Sequence, residues 1–502
     1  MRISFTILLL LLQSYSFSQN AFYYQHIKPM DSKLFDVVEG EDGYLSVGVE
    51  QTNKDKGFLL FINKNGEVEW EKKINFQDTT IISSVFMSVV YAAPYFYAIG
   101  IAQIDSENKY LVTKIDAAGE ILFSKILETP HTFSDDNYPS KALLNGETIL
   151  IAGSAPSAVG TRGELLRIDL DANILWQKVY NCFPNSTLYS ERIVNVKKTV
   201  SNNYLLEIYC SNFNGKDVSV IISIDNEGNE LWRKKYDTLI PSSHSSDSLV
   251  LLSATPYKEN NTIVLFVVAN ADQYSSTSYP REDFALIEYN EFGEEIKYKR
   301  FYNPTALVRA DIQTKESDEL FILGSKEYGE IEGYHLGLIK LNSHKEIEWE
   351  KFYKKENPLD TLIQAGPLFE NGKLTSDNGF IMVAYDFYFE FGSAYRNPGV
   401  LKLDCIGDTT WNYNSCLSPG LESVTLFPNP TIDDFTIQIP SLSAQSEINL
   451  KIFDISGKLV RELSFKDKNV INISTAKWSK GVYNCVIYLD NKFLDRKKII
   501  KM

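Results

Sequence analysis

Short runs of apolar or alternating residues fill the chain. Gly, Asn, Asp and Ser break them at close intervals, and no long helical period interrupts them. Such runs are strand signals. In the first unit they read KLFDVVE, GYLSVGVE, GFLLFIN and EVEWEKKI; in the third SKALLN, TILIAGS, GELLRID and NILWQKVY; in the sixth ALVRADIQ, ELFILGS, YHLGLIK and EIEWEKFY. The last two strands of each unit flank one recurring phrase, clearest in IDNEGNELWRKKY from Ile224. An Asp or Asn opens each turn: Asn63, Asp116, Asp169, Asp225, Asn290, Asn342 and Asp404. Seven residues later stands Trp70, Phe123, Trp176, Trp232, Lys297, Trp349 or Trp411, the fifth copy carrying its aromatic one place late as Tyr298. The openings are 53, 53, 56, 65, 52 and 62 residues apart. A period of this size marks an array of supersecondary units.

Four strands per unit and seven units predict an all-β chain: a seven-bladed β-propeller over 19–417, then a small β-sandwich. The turn residues have a physical role. Asp and Asn bond backbone two residues on, and Gly supplies positive φ. The aromatic after each turn is expected to wedge between neighbouring blades. AFYYQHI, from Ala21, could add a strand to the seventh blade, although four strands are already assigned there, the last of them around Trp411.

Two units are long. The fifth carries an insert at 269–283 and the seventh YDFYFEFGSAYRNPG at 385–399, each between second and third strands. In a propeller these connections share a face with the blade-to-blade crossings, opposite the tight turns. Loops on a rigid scaffold are where binding concentrates. Tyr385, Phe387, Phe389 and Phe391 alternate with Asp386, Tyr388 and Glu390, so an extended chain presents one aromatic face. That face either packs within the blade or forms a strip for sugar rings or a protein. Tyr274, Tyr279 and Arg281 would join the same surface.

Composition narrows the function. Net charge is −15, with 12 Lys plus Arg against 9 Asp plus Glu in 418–502, which leaves −18 elsewhere. An acidic body argues against nucleic acid as a partner. Arg2, the apolar run Ile7–Leu12 and the small residues Ser16 and Ser18 predict a signal peptide over 1–18. The run is too short to span a bilayer. Five cysteines leave at least one unpaired; Cys405 with Cys416 is the favoured pair and Cys182 with Cys210 the weaker one.

Signatures of catalysis are missing. There is no metal-binding His-Glu-x-x-His, no Gly-x-Ser-x-Gly and no phosphate loop. His26, His131, His244, His335 and His344 are scattered. Asp169, Asp171 and Asn173 mimic the start of a calcium loop, but the twelfth position is Tyr180 and the central Gly is missing. No metal or cofactor is expected. Asp135, Asp136, Asp283 and Asp386 could supply a pair of carboxylates on the loop-rich face.

SPGLES, from Ser418, reads as a linker over 418–423. Beyond it, 424–502 resembles the type A C-terminal sorting domain of type IX secretion cargo in Bacteroidota. The matching residues are FPNP (Phe427, Pro428, Asn429, Pro430), IFDISGKLV with Asp454 and Gly457, WSKGVY with Gly481 and Tyr483, and the ending RKKIIKM with Lys498 and Lys501. The resemblance implies passage of the outer membrane by the secretion machinery, then surface attachment or release. The repeats resemble propeller-like regions of such cargo and, loosely, the tryptophan-docked blades of quinoprotein dehydrogenases. Those usually have eight copies where this chain has seven.

The expectation is therefore a secreted or surface-displayed binding or adhesion module for glycan or protein, not transmembrane. The alternatives are an extracellular hydrolase or lyase and a quinoprotein-like oxidoreductase.

Overall fold

The computed structural model describes the chain except for residues 1–20, 26–31, 53, 75, 77–80, 106, 130–138, 158–159, 183–188, 213–216, 238–247, 259–260, 270–282, 302–306, 316–318, 328–333, 354–363, 391–392, 409–424, 440–446, 455–457, 467 and 490–491. It divides into two compact units, Met1–Trp411 and Asn412–Met502. The described residues are all-β, with no α-helix.

The first unit holds seven antiparallel groups of four strands, called sheets 1 to 7. Sheet 1 is Ser32–Glu39, Gly43–Glu50, Lys56–Asn63 and Val68–Lys73. Sheet 2 is Ile81–Ala92, Tyr95–Ile104, Glu107–Ile115 and Ile121–Ile126. Sheet 3 is Lys141–Asn145, Thr148–Ser157, Gly160–Asp169 and Ile174–Tyr180. Sheet 4 is Tyr189–Lys198, Tyr204–Asn212, Asp217–Ile224 and Glu230–Asp237. Sheet 5 is Ser248–Pro256, Thr262–Ala269, Asp283–Tyr289 and Glu295–Phe301. Sheet 6 is Leu307–Thr314, Leu320–Glu327, Tyr334–Leu341 and Ile347–Tyr353. A parallel bridge, Thr161 to Ser190, links sheets 3 and 4.

Sheet 7 takes up the strand that AFYYQHI could add. Its first three are Gln364–Leu374, Phe380–Glu390 and Ser393–Leu403, and the fourth is Phe22–Gln25 from the far end of the unit. The third strand therefore has its outer neighbour before the chain reaches Trp411, which lies outside the described residues. The 385–399 insert also takes a definite form: its two arms lengthen the second and third strands, paired as far as Glu390 with Ser393.

The strands are apolar on both faces where sheets cover both faces. Gly43–Glu50 is buried at every position, whereas the outer strand Val68–Lys73 has no buried position and is half-buried over most of its length. Core clusters lie between successive sheets. Leu45, Leu59 and Phe61 of sheet 1 pack on Phe86, Phe96 and Leu111 of sheet 2. Further clusters join sheets 2 to 3, 3 to 4, 4 to 5, 5 to 6 and 6 to 7. The last places Ile381, Val383 and Val400 of sheet 7 against Leu34, Tyr44 and Phe58 of sheet 1. The order of interfaces thus returns to its start.

The recurring turn behaves as its chemistry dictates. Asp225 Oδ1 accepts from the amides of Glu227 (3.0 Å) and Asn229 (2.7 Å), and Gly228 sits at φ 80°. Asp169 makes the same bonds to Asp171 and Asn173, so its oxygens are engaged as a turn, not spread around an ion. Ala172 and Lys345 take the left-handed position in the third and sixth copies, at φ 57° and 60°. The aromatic then docks on the next turn. Trp70 donates to Ala117 O at 3.0 Å with its ring over Gly119.

The second unit packs a three-stranded sheet (Thr425–Phe427, Asp434–Gln438, Val470–Ser474) with a four-stranded one (Leu459–Lys466, Glu447–Asp454, Gly481–Leu489, Lys492–Lys501) around a shared core of Phe435, Ile437, Ile452, Ile487 and Ile499.

Cys182 bonds Cys210, the pair that looked weaker in the sequence. Both are buried in the core between sheets 3 and 4, so the fold brings together what sequence distance kept apart. Cys405 is also disulfide-bonded, and Cys416 lies outside the described residues. Cys485 is free and buried.

Candidate functional site

The first strand of each sheet carries a polar residue at one equivalent register: Asp36, Ser88, Lys141, Asn195, Ser253, Asp311 and Asn371. They pair with Val47, Ile99, Ala152, Glu207, Leu265, Leu323 and Val383 of the second strands. In five sheets a bulge immediately precedes the residue, between Leu34 and Asp36, for example, or between Ile193 and Asn195. A bulge inserts a residue and re-aims the side chains after it. It turns polar groups inward from strands otherwise built for the core.

Two hubs tie these residues together across the sheets. Asp36, fully buried, accepts from Ser88 Oγ (2.6 Å), the Val89 amide (3.0 Å), Asn371 Nδ2 (2.8 Å), Lys141 Nζ (3.2 Å) and Lys373 Nζ (2.9 Å). Burial pushes its pKa up, but the two lysines and these hydrogen bonds outweigh it and hold the carboxyl down at about 2. Asp311 is the second hub. It accepts from Lys197 Nζ at 2.7 Å and from Ser253 and Gln313, and lies below the usual carboxylate range because these partners exceed its desolvation. Glu207 differs. Burial, with Asp311 adding to it, raises it to about 7 against Lys197, the Ala254 amide (2.9 Å) and Asn195 Nδ2 (3.2 Å). Lys373 is pushed down to about 8, its desolvation exceeding the attraction of Asp36.

This polar belt lies between two chambers. The larger, of about 820 Å³, takes its walls from all seven sheets, among them Val38, Tyr91, Leu143, Lys198, Tyr257, Lys315 and Gly372. These residues belong to the later parts of the first strands and the turns after them. In an antiparallel sheet that end also carries the turns joining third to fourth strands, and the contact from Lys315 to Cys405 O (3.4 Å) spans the two sets. The larger chamber therefore lies on the side of the tight Asp-x-x-Gly turns. The smaller, of about 250 Å³, lies toward the other end, lined by Phe35, Met87, Glu207, Arg309 and Glu370 among others.

Of the sequence-predicted ligand residues, the described ones lie on the second strand of sheet 7. Tyr385 is buried, its ring beneath Lys33 Nζ at 4.7 Å. Phe387 and Phe389 lie on the same strand, opposite Gly366 and Ala394. Phe391, Tyr274, Tyr279, Arg281, Asp135 and Asp136 lie outside the described residues; Asp283 and Asp386 are strand members. None of the belt residues was singled out from the sequence. Their signal was available: they recur every 52 to 60 residues, in step with the turns. It is faint because Asp, Ser, Lys and Asn share only polarity.

In the second unit the motif residues converge. The Ile500 amide donates to Asn429 Oδ1 at 2.8 Å, Thr431 bridges Lys501, Gly481 pairs with Lys501, and Asp454 pairs with Tyr483. The Tyr483 hydroxyl donates to Ser479 O at 2.7 Å, and its ring lies 4.8 Å from Trp478. Phe427 precedes Pro428 and is exposed, and Pro430 leads into Thr431. Lys498 stands opposite Asn484, and Gly457 lies outside the described residues.

No helix among the described residues is long and apolar enough to cross a membrane. A 95-residue stretch is 30% identical to the ulvan lyase NLR42 of Nonlabens ulvanivorans, covering 18% of this chain and 17% of that enzyme, so the chain matches less than a fifth of the relative's length. Solved structures similar to it include a protein of unknown function from Dyadobacter fermentans (9% identity, TM-score 0.41, 76% of this chain and 98% of that one). Another is a fungal AA5-family alcohol oxidase in complex with copper (9%, 0.43, 95% and 98%). Residues 425–502 match the secretion system C-terminal sorting domain, and that tail marks the chain as type IX secretion cargo, secreted or held at the outer-membrane surface.

Proposed function

We propose that residues 19–417 form a seven-bladed β-propeller carried outside the cell by the sorting tail, and that it is a binding module for an extracellular glycan or protein. Seven four-stranded groups, interfaces that return to their start and a last sheet completed by the first strand support the propeller. A signal peptide at 1–18 would start the export route.

The observation that carries binding over catalysis is the state of the central carboxylates. Asp36 and Asp311 are each saturated by lysines and hydrogen bonds. A hydrolase or lyase needs carboxyl groups free to face substrate. Glu207, raised to about 7 beside the smaller chamber, is the belt acid that favours an enzyme. The likeness to an ulvan lyase keeps a lyase as the rival, over a stretch comparable in length with the tail. The test is a screen of the full-length secreted protein against surface polysaccharides and glycoproteins, with turnover read in the same wells. Binding without product is expected. Product that disappears in Glu207→Gln would replace this reading with the enzyme.

A further inference from the structure

We propose that the larger chamber is an oxyanion site that takes a carboxylated or sulfated oligosaccharide, gripped by Lys198, Lys258 and Lys315 at its mouth. The proposal rests on the binding reading above and names the ligand class of that module.

The charge distribution carries it. The chain is acidic, at −15, yet six lysines and one aspartate line this chamber. At the waist Lys141, Lys197 and Lys373 are matched by Asp36 and Asp311. At the mouth Lys198, Lys258 and Lys315 take part in no ion pair among the described residues. Their contacts hold them without neutralising them. Lys198 Nζ donates to Asn145 Oδ1 at 2.8 Å, Lys258 lies 5.5 Å from the Tyr257 ring, and Lys315 lies 4.4 Å from Phe321 and 4.9 Å from Phe380. Burial pushes Lys315 down to about 8 even with Glu319 pulling the other way. Asp377 and Asp404 also act on Lys315 from a distance, but no carboxylate forms an ion pair with it among the described residues; an oxyanion arriving there would supply a counter-charge in contact.

The volume and walls fit a few sugar rings. About 820 Å³ lies within the range that encloses a small ligand. Tyr91, half-buried in the wall, offers an aromatic face for stacking, and the amide and hydroxyl residues of the walls offer partners for sugar hydroxyls. A cationic recess in an acidic molecule also concentrates field on an approaching anion.

The test is calorimetry on the full-length protein with oligogalacturonate as the carboxylated probe, a chondroitin sulfate oligosaccharide as the sulfated one, a size-matched cello-oligosaccharide as the neutral one, and inorganic sulfate. At least one charged oligosaccharide should bind and the neutral one should not. Binding should weaken as ionic strength rises from about 0.05 M to about 0.5 M. Lys198→Ala/Lys258→Ala/Lys315→Ala should lose about tenfold or more in affinity with an unchanged melting temperature. If the triple variant is unstable, Lys258→Glu alone, at an exposed position, should give the same direction of change. Equal binding of the neutral probe, or full affinity in both variants, would overturn the anion site and leave the binding module standing. Binding of inorganic sulfate alone would overturn the saccharide class. Silence toward every charged oligosaccharide would overturn the assignment, and the wider screen would then decide the binding reading.

Discussion

Phe22 lays its ring on Gly66, where a Cβ would fall 2.6 Å from Cγ of that ring. Trp70 does the same to Gly119, Trp232 to Gly293 and Trp349 comes close to Gly407. The first described strand thus performs, for the junction of sheets 7 and 1, the docking that a fourth-strand aromatic performs elsewhere. Phe22→Ala should cost about 2 kcal/mol, since the ring is half-buried, and Phe22→Trp should be tolerated. Urea unfolding would measure both. A neutral Phe22→Ala would mean that the backbone pairing of Phe22–Gln25 with the third strand of sheet 7 suffices without the ring.

Trp232 and Gly293 should be energetically coupled. Trp232→Ala removes a half-buried ring and should destabilise by about 2 kcal/mol. Gly293→Ala places a Cβ 2.9 Å from the same ring at φ 78° and should also destabilise, by about 1–2 kcal/mol. In the double variant the clash with the ring no longer exists, so the combined loss should be smaller than the two losses added. Simple additivity in denaturant melts would show that only the backbone conformation at Gly293 matters.

These turns and rings were the legible part of the fold. An Asp or Asn, a left-handed position three residues later and an aromatic at a fixed offset are local chemistry, and local chemistry shows in sequence. The all-β class and the strand count per unit followed from the same runs. The ownership of the last outer strand stayed open between AFYYQHI and the segment around Trp411, because Phe22–Gln25 and Ser393–Leu403 are far apart in sequence and meet only by pairing. The polar belt was hidden for another reason. Asp36 and Asn371 are 335 residues apart and share no motif; their equivalence is one of register, set by bulges that sequence does not announce. The aromatic positions of 385–391 drew attention by pattern alone, yet Tyr385 is buried under Lys33.

Removing 425–502 should separate folding from export. The two units are compact by themselves, and the core of the tail is made of its own residues. A chain ending at 424 should melt at nearly the same temperature when purified from a cytoplasmic host. In a host with the secretion system it should stay inside the outer membrane. Surface labelling and fractionation would read the difference, and normal display of the truncated chain would end the sorting role assigned to this tail.

Asp36 should be a pillar of stability at neutral pH. Its folded-state pKa, about 2, lies below that of an unfolded aspartate, so it favours the fold wherever the carboxylate is ionised in both states. That contribution, on the order of 2 kcal/mol, is complete above about pH 4 and is lost as pH falls from there toward about 2. Asp36→Asn leaves the part-buried Lys141 and Lys373 without the fully buried anion they share and should cost about 3 kcal/mol at pH 7. The variant should also lose stability less steeply on acidification than the native chain.

Glu207 should act with the opposite sign. Its folded-state pKa, about 7, stands above that of an unfolded glutamate, so the folded chain holds this proton more tightly. Its stabilising effect is full below about pH 4 and declines as pH rises to about 7, beyond which the buried carboxylate is a constant burden. Glu207→Gln keeps an acceptor for the Ala254 amide and the Asn195 side chain, and stays neutral at every pH. The variant should match the native chain near pH 4 and exceed it at pH 8 by up to about 3 kcal/mol. Thermal melts across that interval would show the two curves parting as pH rises. Curves that stay parallel would mean that Lys197 keeps Glu207 ionised throughout, and the case for this residue as a proton donor in any rival enzyme would fall with it.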